Sequence, residues 1–450
     1  MQDIWSSKRV FLLATIGRAV GLGNFWRFPF IAGENGGSAF VIVYLGCVLL
    51  LGIPLLIAEL TIGRLGARDP VGTMQALTQG VRAPGLWRAI GWISVLTPML
   101  AVTAYGVVAG WAFDYAWASA AGERRGADGA SSQAAFDLLL ASPGRMYGSF
   151  VLFVVLATAV VARGLKHGIE RAINAMMPAM FLLIAILLGY SALTADFAAG
   201  LAFMFAPDFS KLDTTVILIA LGQAFFSLSI GMGATLTYGA YLGPGVSIPR
   251  SALTVALVDT LVAIAAGLVV FPLVFANELE VTQGPGLVFV TLPLAFAQMP
   301  GGQVFGALFF LLFAITGLTT AFALLEPAVA WVTNRTRLSR TAAAALLGAA
   351  SMTGGIFVTL SFNHLSEVRP LSFIAYFREK GIFDVIDFFI SNVLLPVCGL
   401  LLALFAGWVL SRELTRRQFG ARRERLFAAW RFLIRYAAPA AVAWLFLEQL

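Results

Sequence analysis

Residues 17–29 of the chain read GRAVGLGNFWRFP. They lie inside residues 10–34, a run that is otherwise long and apolar enough to cross a membrane as a helix. A second run, residues 214–240, contains SLSIGMG at residues 227–233. A lone Gly-x-Gly in a membrane helix more often permits close packing than unwinding. Here each Gly-x-Gly stands beside hydroxyl or amide side chains near mid-span, which predicts two helices that unwind inside the membrane.

The composition places the whole chain in a membrane. Of its 450 residues, 60% are hydrophobic, 37 are phenylalanine and only 12% are charged, against about 25% charged residues in soluble globular proteins. A soluble protein of this size has no way to bury so much apolar surface. The composition therefore excludes a disordered chain, a nucleic-acid-binding protein and a secreted disulfide scaffold. Cys47, Cys398, His167 and His364 match no metal-ligand spacing.

Charge-poor stretches predict eleven spans and an orientation. The spans are residues 10–34, 37–62, 89–119, 146–162, 171–194, 214–240, 250–275, 300–332, 341–361, 383–410 and 430–447. Most of the 30 lysines and arginines lie in the connections on the side of the N-terminus. The positive-inside rule then places the N-terminus in the cytoplasm and, with eleven spans, the C-terminus outside. We expect the basic residues 412–435 to form a cytoplasmic loop near anionic lipid.

The two interruptions lie five spans apart, in halves of opposite orientation. Corresponding breaks in two inverted halves are the best sequence indication of a transporter's binding site. We expect one transporter domain, residues 1–450, with a first repeat at 1–195, a second at 214–410, and the basic loop with an eleventh helix at 411–450.

Oxygen-bearing side chains near the breaks suggest a small hard cation, which prefers oxygen ligands. Asp259 stands in the otherwise apolar seventh span, and a carboxylate at mid-membrane is a functional candidate by default. Thr316, Thr319 and Thr320 stand in the eighth span. For isolated threonines the more common explanation is a hydrogen bond to their own helix.

Five segments together resemble the neurotransmitter:sodium symporter family. They are residues 17–29, 34–37, 223–241, 317–320 and 383–388. The resemblance implies a prokaryotic amino-acid:sodium symporter of the inner membrane with the LeuT fold. That fold is all helical, a 5+5 inverted repeat plus an eleventh helix, with helices 1 and 6 unwound at mid-membrane. It also implies alternating access and no enzymatic activity.

The resemblance assigns roles to individual residues. It implies a first sodium site at the Ala19 carbonyl, Asn24, Ser227 and Asp259. It implies a second at Gly17, Val20, Thr316, Thr319 and Thr320. The implied substrate contacts are Arg18, Ala19, Gly21, Leu22, Gly23, Ala101, Tyr105, Phe226, Ser227, Ser229, Met232, Thr320 and Leu324. The implied gates are Arg27 and Asp387 outside, and Trp5, Tyr241 and Glu326 inside.

Substrate and ion requirements follow in part from the same resemblance. Related monoamine carriers have an aspartate where this chain has Gly21, so Gly21 leaves room for a substrate with its own carboxylate. The small Ala101 and the flexible residues 231–233 suggest a fairly large apolar side chain. Relatives without a carboxylate like Asp259 often need chloride, so we expect two sodium ions and no chloride.

Two positions depart from the family pattern. Arg18 replaces a residue that is usually neutral or aromatic. It is expected to pair with Glu59, to read a second acidic group on an anionic substrate, or to alter the second sodium site. Gln2 and Asn334 replace a charged pair that closes the cytoplasmic side in many relatives, which predicts a weaker latch and a preference for inward opening.

Three other functions remain open at the level of sequence. The chain is alternatively a symporter of an acidic amino acid, a sensor that binds an amino acid without moving it, or a transporter driven by protons through Asp259. An intramembrane enzyme lacks support, because no serine–histidine, paired-aspartate or His-Glu-x-x-His pattern is present. The sequence does not indicate the oligomeric state.

Overall fold

The computed structural model describes residues 4–124, 126–243, 245–279, 286–419 and 424–449, and throughout these ranges the regular secondary structure is helical. Nine of the described helices are long and apolar enough to cross a membrane. They are Ser38–Gly66, Pro84–Ala120, Pro143–Ala162, Leu165–Thr194, Ile248–Ala276, Gly302–Arg335, Arg340–Leu360, Ile382–Val409 and Glu424–Glu448. They correspond to the predicted spans 2–5 and 7–11.

The two remaining spans, the first and the sixth, are each divided. The first consists of Lys8–Ala19, a wide turn at Gly23–Arg27 and Phe28–Glu34. The sixth consists of Thr214–Ser227 and Ala234–Ala240. Both breaks therefore fall where the Gly-x-Gly sequences predict them. Shorter helices connect the spans, at Pro70–Leu77, Gly129–Leu140, Phe197–Phe205 and Leu287–Gln298.

The break in the sixth span needs glycine for two separate reasons. Gly231 and Gly233 have φ angles of 83° and 71°, in the left-handed region that other residues rarely adopt. There is also no space for a side chain, because a Cβ on Gly233 would lie 2.2 Å from the carbonyl oxygen of Ser94 in the third span. The unwound segment is thus held tightly against its neighbours.

Close backbone contacts join the unwound helices to particular neighbours. A Cβ on Gly63 in the second span would lie 2.0 Å from the carbonyl oxygen of Leu236, so the second span lies directly against the second half of the sixth. In the eighth span, a Cβ on Gly317 would lie 3.2 Å from Cβ of Ala109 in the third span. Spans 3 and 8 therefore pack along each other on the other side of the site.

One expectation about the segment that follows the tenth span is wrong. Residues 412–435 are not a loop in the described residues, since Arg412–Phe419 is a helix and the eleventh span begins at Glu424. An Arg417–Glu413 pair one helical turn apart stabilises the short helix. The eleventh span thus begins earlier than the predicted residue 430, because arginine side chains at a span's end extend to the interface.

Candidate functional site

A buried carboxylate connects the two unwound segments. Oδ1 of Asp259 accepts a hydrogen bond from Nδ2 of Asn24 at 2.9 Å, and its Oδ2 accepts one from the hydroxyl of Ser227 at 2.7 Å. Tyr44 donates to the same hydroxyl at 3.2 Å, and Oδ1 of Asn24 accepts from the amide of Gly21 at 3.0 Å. Asp259 and Asn24 are fully buried. The structure thus gathers the side chains expected at the first sodium site.

The first and eighth spans face each other at a second cluster of oxygens. Thr319 donates its hydroxyl hydrogen to the carbonyl of Thr316 at 3.0 Å, as expected for a threonine within a helix. The hydroxyl of Thr320 is buried and has no hydrogen-bond partner among the described residues. A Cβ on Gly21 would lie 2.3 Å from that hydroxyl. Gly17 also faces the eighth span, since a Cβ added to it would lie 3.5 Å from Cβ of Thr319.

The donor chemistry of both clusters suits an alkali cation. Carbonyl, hydroxyl, amide and carboxylate oxygens are the ligands of hard ions. The described residues contain no group of three or more histidine, cysteine, aspartate or glutamate side chains able to hold a metal. The residues present therefore fit sodium and do not resemble a zinc or iron site.

A small cavity lies between the unwound segments and spans 3 and 8. It is lined by all but two of the residues expected to bind substrate: Ala19, Gly21, Leu22, Gly23, Ala101, Tyr105, Phe226, Ser229, Met232, Thr320 and Leu324. The sequence did not indicate the other lining residues, which are Val102, Gly106, Phe153, Gly317 and Ala321. Arg18 and Ser227 do not line it. No charged side chain is part of the lining.

The predicted outer gate residues are connected through other side chains. Arg27 donates to the hydroxyl of Ser391 at 3.0 Å, and its guanidinium lies 4.3 Å from the ring centre of Phe226. Asp387 accepts a hydrogen bond from the hydroxyl of Tyr105 at 2.7 Å. Ser391 lies between Tyr105 and Asp387, at 3.2 and 3.4 Å. Arg27 and Asp387 thus meet through Ser391, and they form no direct ion pair among the described contacts.

On the side of the N-terminus, the predicted gate residues form a network that includes one further arginine. Trp5 is buried, and its indole nitrogen donates to the carbonyl of Tyr238 at 3.1 Å. Tyr241 donates to Glu326 at 2.8 Å, and Glu326 forms an ion pair with Arg340. Arg340 is the first residue of the ninth span, and the sequence indicated no role for it in this gate.

Of Gln2 and Asn334, which replace the charged pair of many relatives, the structure describes only Asn334. Gln2 lies outside the described residues. Asn334, in the last turn of the eighth span, donates to Oδ2 of Asp69 at 3.0 Å, in the connection between the second and third spans. The weaker latch remains a prediction.

Arg18 is fully buried and faces the sixth span. Its Nη1 donates to the carbonyls of Leu228 and Ser229, at 2.9 and 3.3 Å. It forms no direct ion pair with Glu59 among the described residues, so the expected pairing is not a direct contact. Glu59 instead accepts a hydrogen bond from the amide of Gly231 at 2.9 Å.

Comparisons with known proteins agree over almost the whole chain. The model of the sodium:neurotransmitter symporter family matches residues 2–125 and 135–389. An uncharacterized sodium-dependent transporter of Bacillus subtilis (strain 168), YhdH, is 35% identical over 448 residues, covering 99% of this chain and 97% of that protein. An uncharacterized sodium-dependent transporter of Haemophilus influenzae is 28% identical over 457 residues, covering 100% of this chain and 98% of that protein. Among solved structures, the crystal structure of MhsT in complex with L-phenylalanine matches with a TM-score of 0.91 and 39% identity, covering 100% of both chains.

Proposed function

This chain belongs to the sodium:neurotransmitter symporter family, and it is therefore a sodium-dependent secondary transporter and not an enzyme. We propose that its substrate is a neutral L-amino acid with a fairly large apolar side chain. The predicted LeuT fold is confirmed by the structural match over the full length. The chain is a multi-pass membrane protein with a small-molecule substrate.

The observation that carries the substrate class is the cavity without charged side chains. A second acidic group on a substrate would be buried there without a partner, at a considerable cost in free energy. Phe226, Met232 and Leu324 present apolar surface to the cavity, which favours an apolar side chain. MhsT, which has the same fold, is described in complex with L-phenylalanine. These features support a neutral substrate over an acidic one.

The polar end of the substrate would face the unwound part of the first span. Leu22 and Gly23 line the cavity there, and backbone amides at a helix N-terminus favour a carboxylate. The hydroxyl of Tyr105 is held by Asp387 at 2.7 Å, so we infer that it changes partner when the carboxylate arrives. The substrate ammonium would meet carbonyls around Ala19 and Phe226.

Two sodium ions are proposed, one at each oxygen cluster. At the first, Asp259 supplies a fixed negative charge, and Asn24 and Ser227 turn oxygens towards the ion. At the second, Thr319 and Thr320 supply hydroxyls, and the first span supplies carbonyls. Because Asp259 brings its own negative charge, transport is proposed to need no chloride.

Coupling follows from the shared position of ion and substrate. The substrate carboxylate would complete the first sodium site, so each ligand raises the affinity for the other by the same factor. The cavity volume is only about 40 Å³, so its walls must separate to admit a large amino acid. We infer that spans 1, 2, 6 and 7 rock against spans 3, 4, 8 and 9, opening one gate at a time.

The proposed location is the inner membrane of a prokaryote, with the N-terminus in the cytoplasm and the C-terminus outside. The repeat boundaries at residues 1–195 and 214–410 belong to the same proposal. The sodium gradient would then drive uptake.

The substrate class is tested by a binding screen over the amino acids, including acidic and N-modified ones, with sodium or potassium as the only cation. The proposal expects sodium-dependent binding of large neutral L-amino acids. Binding confined to acidic amino acids would favour the alternative in which Arg18 reads a second carboxylate. Binding without later accumulation in liposomes would indicate a sensor.

A further inference from the structure

The break in the sixth span leaves backbone groups without helical hydrogen bonds deep in the membrane. Two buried charged side chains, Arg18 and Glu59, form hydrogen bonds with these groups. The helix Thr214–Ser227 ends just before the carbonyls of Leu228 and Ser229, which accept hydrogen bonds from Arg18. The amide of Gly231, on the other side of the bend, donates to Glu59. Unpaired backbone groups at this depth are costly, so both charges stabilise the unwound conformation.

The positive charge of Arg18 and the negative charge of Glu59 each match the partial charge of the backbone groups that they contact. The C-terminal end of a helix carries partial negative charge on its free carbonyls, and the Arg18 guanidinium lies there. A free amide carries partial positive charge, and the Glu59 carboxylate accepts from it. Both side chains are fully buried, which is rare for arginine and glutamate unless a counter-charge is close.

The two charges compensate each other without direct contact. Arg18 Nε, Arg18 Nη2 and Glu59 Oε2 are buried and have no hydrogen-bond partner within the described ranges. The ionisable groups that act electrostatically on Arg18 are Glu59 on the second span, Tyr238 on the sixth and Asp259 on the seventh. In a low-dielectric interior, opposite charges stabilise each other well beyond hydrogen-bonding distance.

Arg18 lies apart from both the substrate cavity and the second oxygen cluster. Gly17 and Gly21 face Thr319 and Thr320 of the eighth span, whereas the Arg18 side chain faces the sixth span. Two of the expectations for Arg18, a contact with the substrate and a direct action on the second sodium site, therefore have no support in its contacts.

We propose that Arg18 and Glu59 form a two-charge clamp on residues 228–231, which holds Ser227 and Ser229 in the positions needed for sodium and substrate. Arg18 is thus a positioning residue: it acts on the ligands through the backbone of the sixth span. The clamp rests on the proposed sodium site at Ser227. It assigns Arg18 and Glu59 to the backbone of the sixth span, and leaves Asp259 as the carboxylate that would contact the incoming ion.

The clamp is tested with Arg18→Gln, Glu59→Gln and the double variant of the full-length protein. The apparent sodium affinity is taken from the rise in melting temperature with sodium chloride, against potassium chloride, and needs no substrate. Each single variant leaves a buried charge without its partner and loosens one end of the segment, so each should weaken sodium affinity by roughly tenfold or more. The double variant should be less impaired than the product of the two single effects.

The sign of the Arg18→Gln effect separates the clamp from simple repulsion. If Arg18 acted on sodium only through its charge, its removal would tighten sodium binding, and that result would overturn the clamp. Single effects that multiply in the double variant would also overturn it. A fall in melting temperature without any change in sodium affinity would reduce Arg18 to a purely structural role and reject the proposal.

Two controls keep the outcomes distinct. Arg145→Gln removes the arginine from a partly exposed ion pair with Asp114, and should leave sodium affinity unchanged. If the unmodified protein shows no sodium-dependent rise in melting temperature, the proposed sodium sites fail. In that case the clamp is tested by melting temperature in sodium-free buffer. Both single variants should then melt at a lower temperature than the double variant. A double variant that melts below both single variants would contradict the clamp.

Discussion

The hydroxyl of Ser227 donates a hydrogen bond to Oδ2 of Asp259 at 2.7 Å, at the residue where the first half of the sixth span ends. The other carboxylate oxygen accepts from Asn24 in the unwound part of the first span. One buried carboxylate therefore joins both breaks. We expect a cation bound at this carboxylate to contact both unwound segments at once.

Replacing this carboxylate is expected to weaken sodium binding. Asp259→Asn keeps the size of the side chain but removes the charge, so we expect a loss of roughly tenfold or more in sodium affinity. The measurement is the sodium-dependent rise in melting temperature. Asp137→Asn, on the helix Gly129–Leu140, is the control and should behave as the unmodified protein does.

The same variant tests chloride. With Asp259 present, uptake should be equal in sodium chloride and sodium gluconate. With Asp259→Asn, residual uptake should become dependent on chloride, because the negative charge is then missing. Chloride dependence of the unmodified protein would contradict the role given to Asp259.

Gly21 is expected to be intolerant of a side chain. A Cβ there would lie 2.3 Å from the hydroxyl of Thr320, and overpacking of this kind costs about 1–3 kcal/mol. Gly21→Ala should therefore weaken sodium affinity about 5- to 150-fold. Gly222→Ala, where no atom lies within 4 Å of the added Cβ, is the matched control. Equal behaviour of the two variants would show that Gly21 does not border an ion site.

The positions of the breaks can be predicted from sequence, whereas the partners of the long side chains cannot. Glycine has a strong local effect on a helix, so the Gly-x-Gly sequences predict where spans 1 and 6 unwind. The direction of Arg18 is different, because a flexible side chain reaches either face of its helix. The sequence around Arg18 does not show that its side chain binds the carbonyls of Leu228 and Ser229, some 210 residues away. It equally does not show that Arg18 makes no direct contact with Glu59.

The side-chain networks at the two ends of the cavity also depend on contacts that the sequence does not predict. The family resemblance predicts Tyr241 and Glu326, but the Arg340 that pairs with Glu326 lies beyond the end of the eighth span. Ser391 connects Arg27 to Asp387 from the next turn of the tenth span. Each of these contacts depends on how helices pack, which local sequence patterns do not encode.

Trp5 is expected to hold the cytoplasmic side closed. Trp5→Ala removes a buried indole, a change that costs about 3–5 kcal/mol in a core, together with the hydrogen bond to Tyr238. The equilibrium should shift towards inward opening, seen as longer distances between spin labels at Lys8→Cys and Arg337→Cys. Trp117→Ala, where the side chain is 72% exposed, should leave these distances unchanged, and no shift with Trp5→Ala would reject the latch.

The proposed orientation predicts which engineered cysteines react in intact cells. Ser131→Cys and Glu448→Cys should react with a membrane-impermeant thiol reagent added outside, because they lie on the side opposite the N-terminus. Glu413→Cys should react only after the membrane is permeabilised. The reverse pattern would place the N-terminus outside. Cys398 is buried and should contribute little background.

The most direct test of the central claim is net flux of a labelled large neutral amino acid, such as L-phenylalanine, into proteoliposomes with an inward sodium gradient. We expect accumulation above the external concentration, abolished when potassium replaces sodium or when the gradient is dissipated, and no accumulation of labelled glutamate. Binding without accumulation, or accumulation that persists without sodium under an imposed pH gradient, would contradict it.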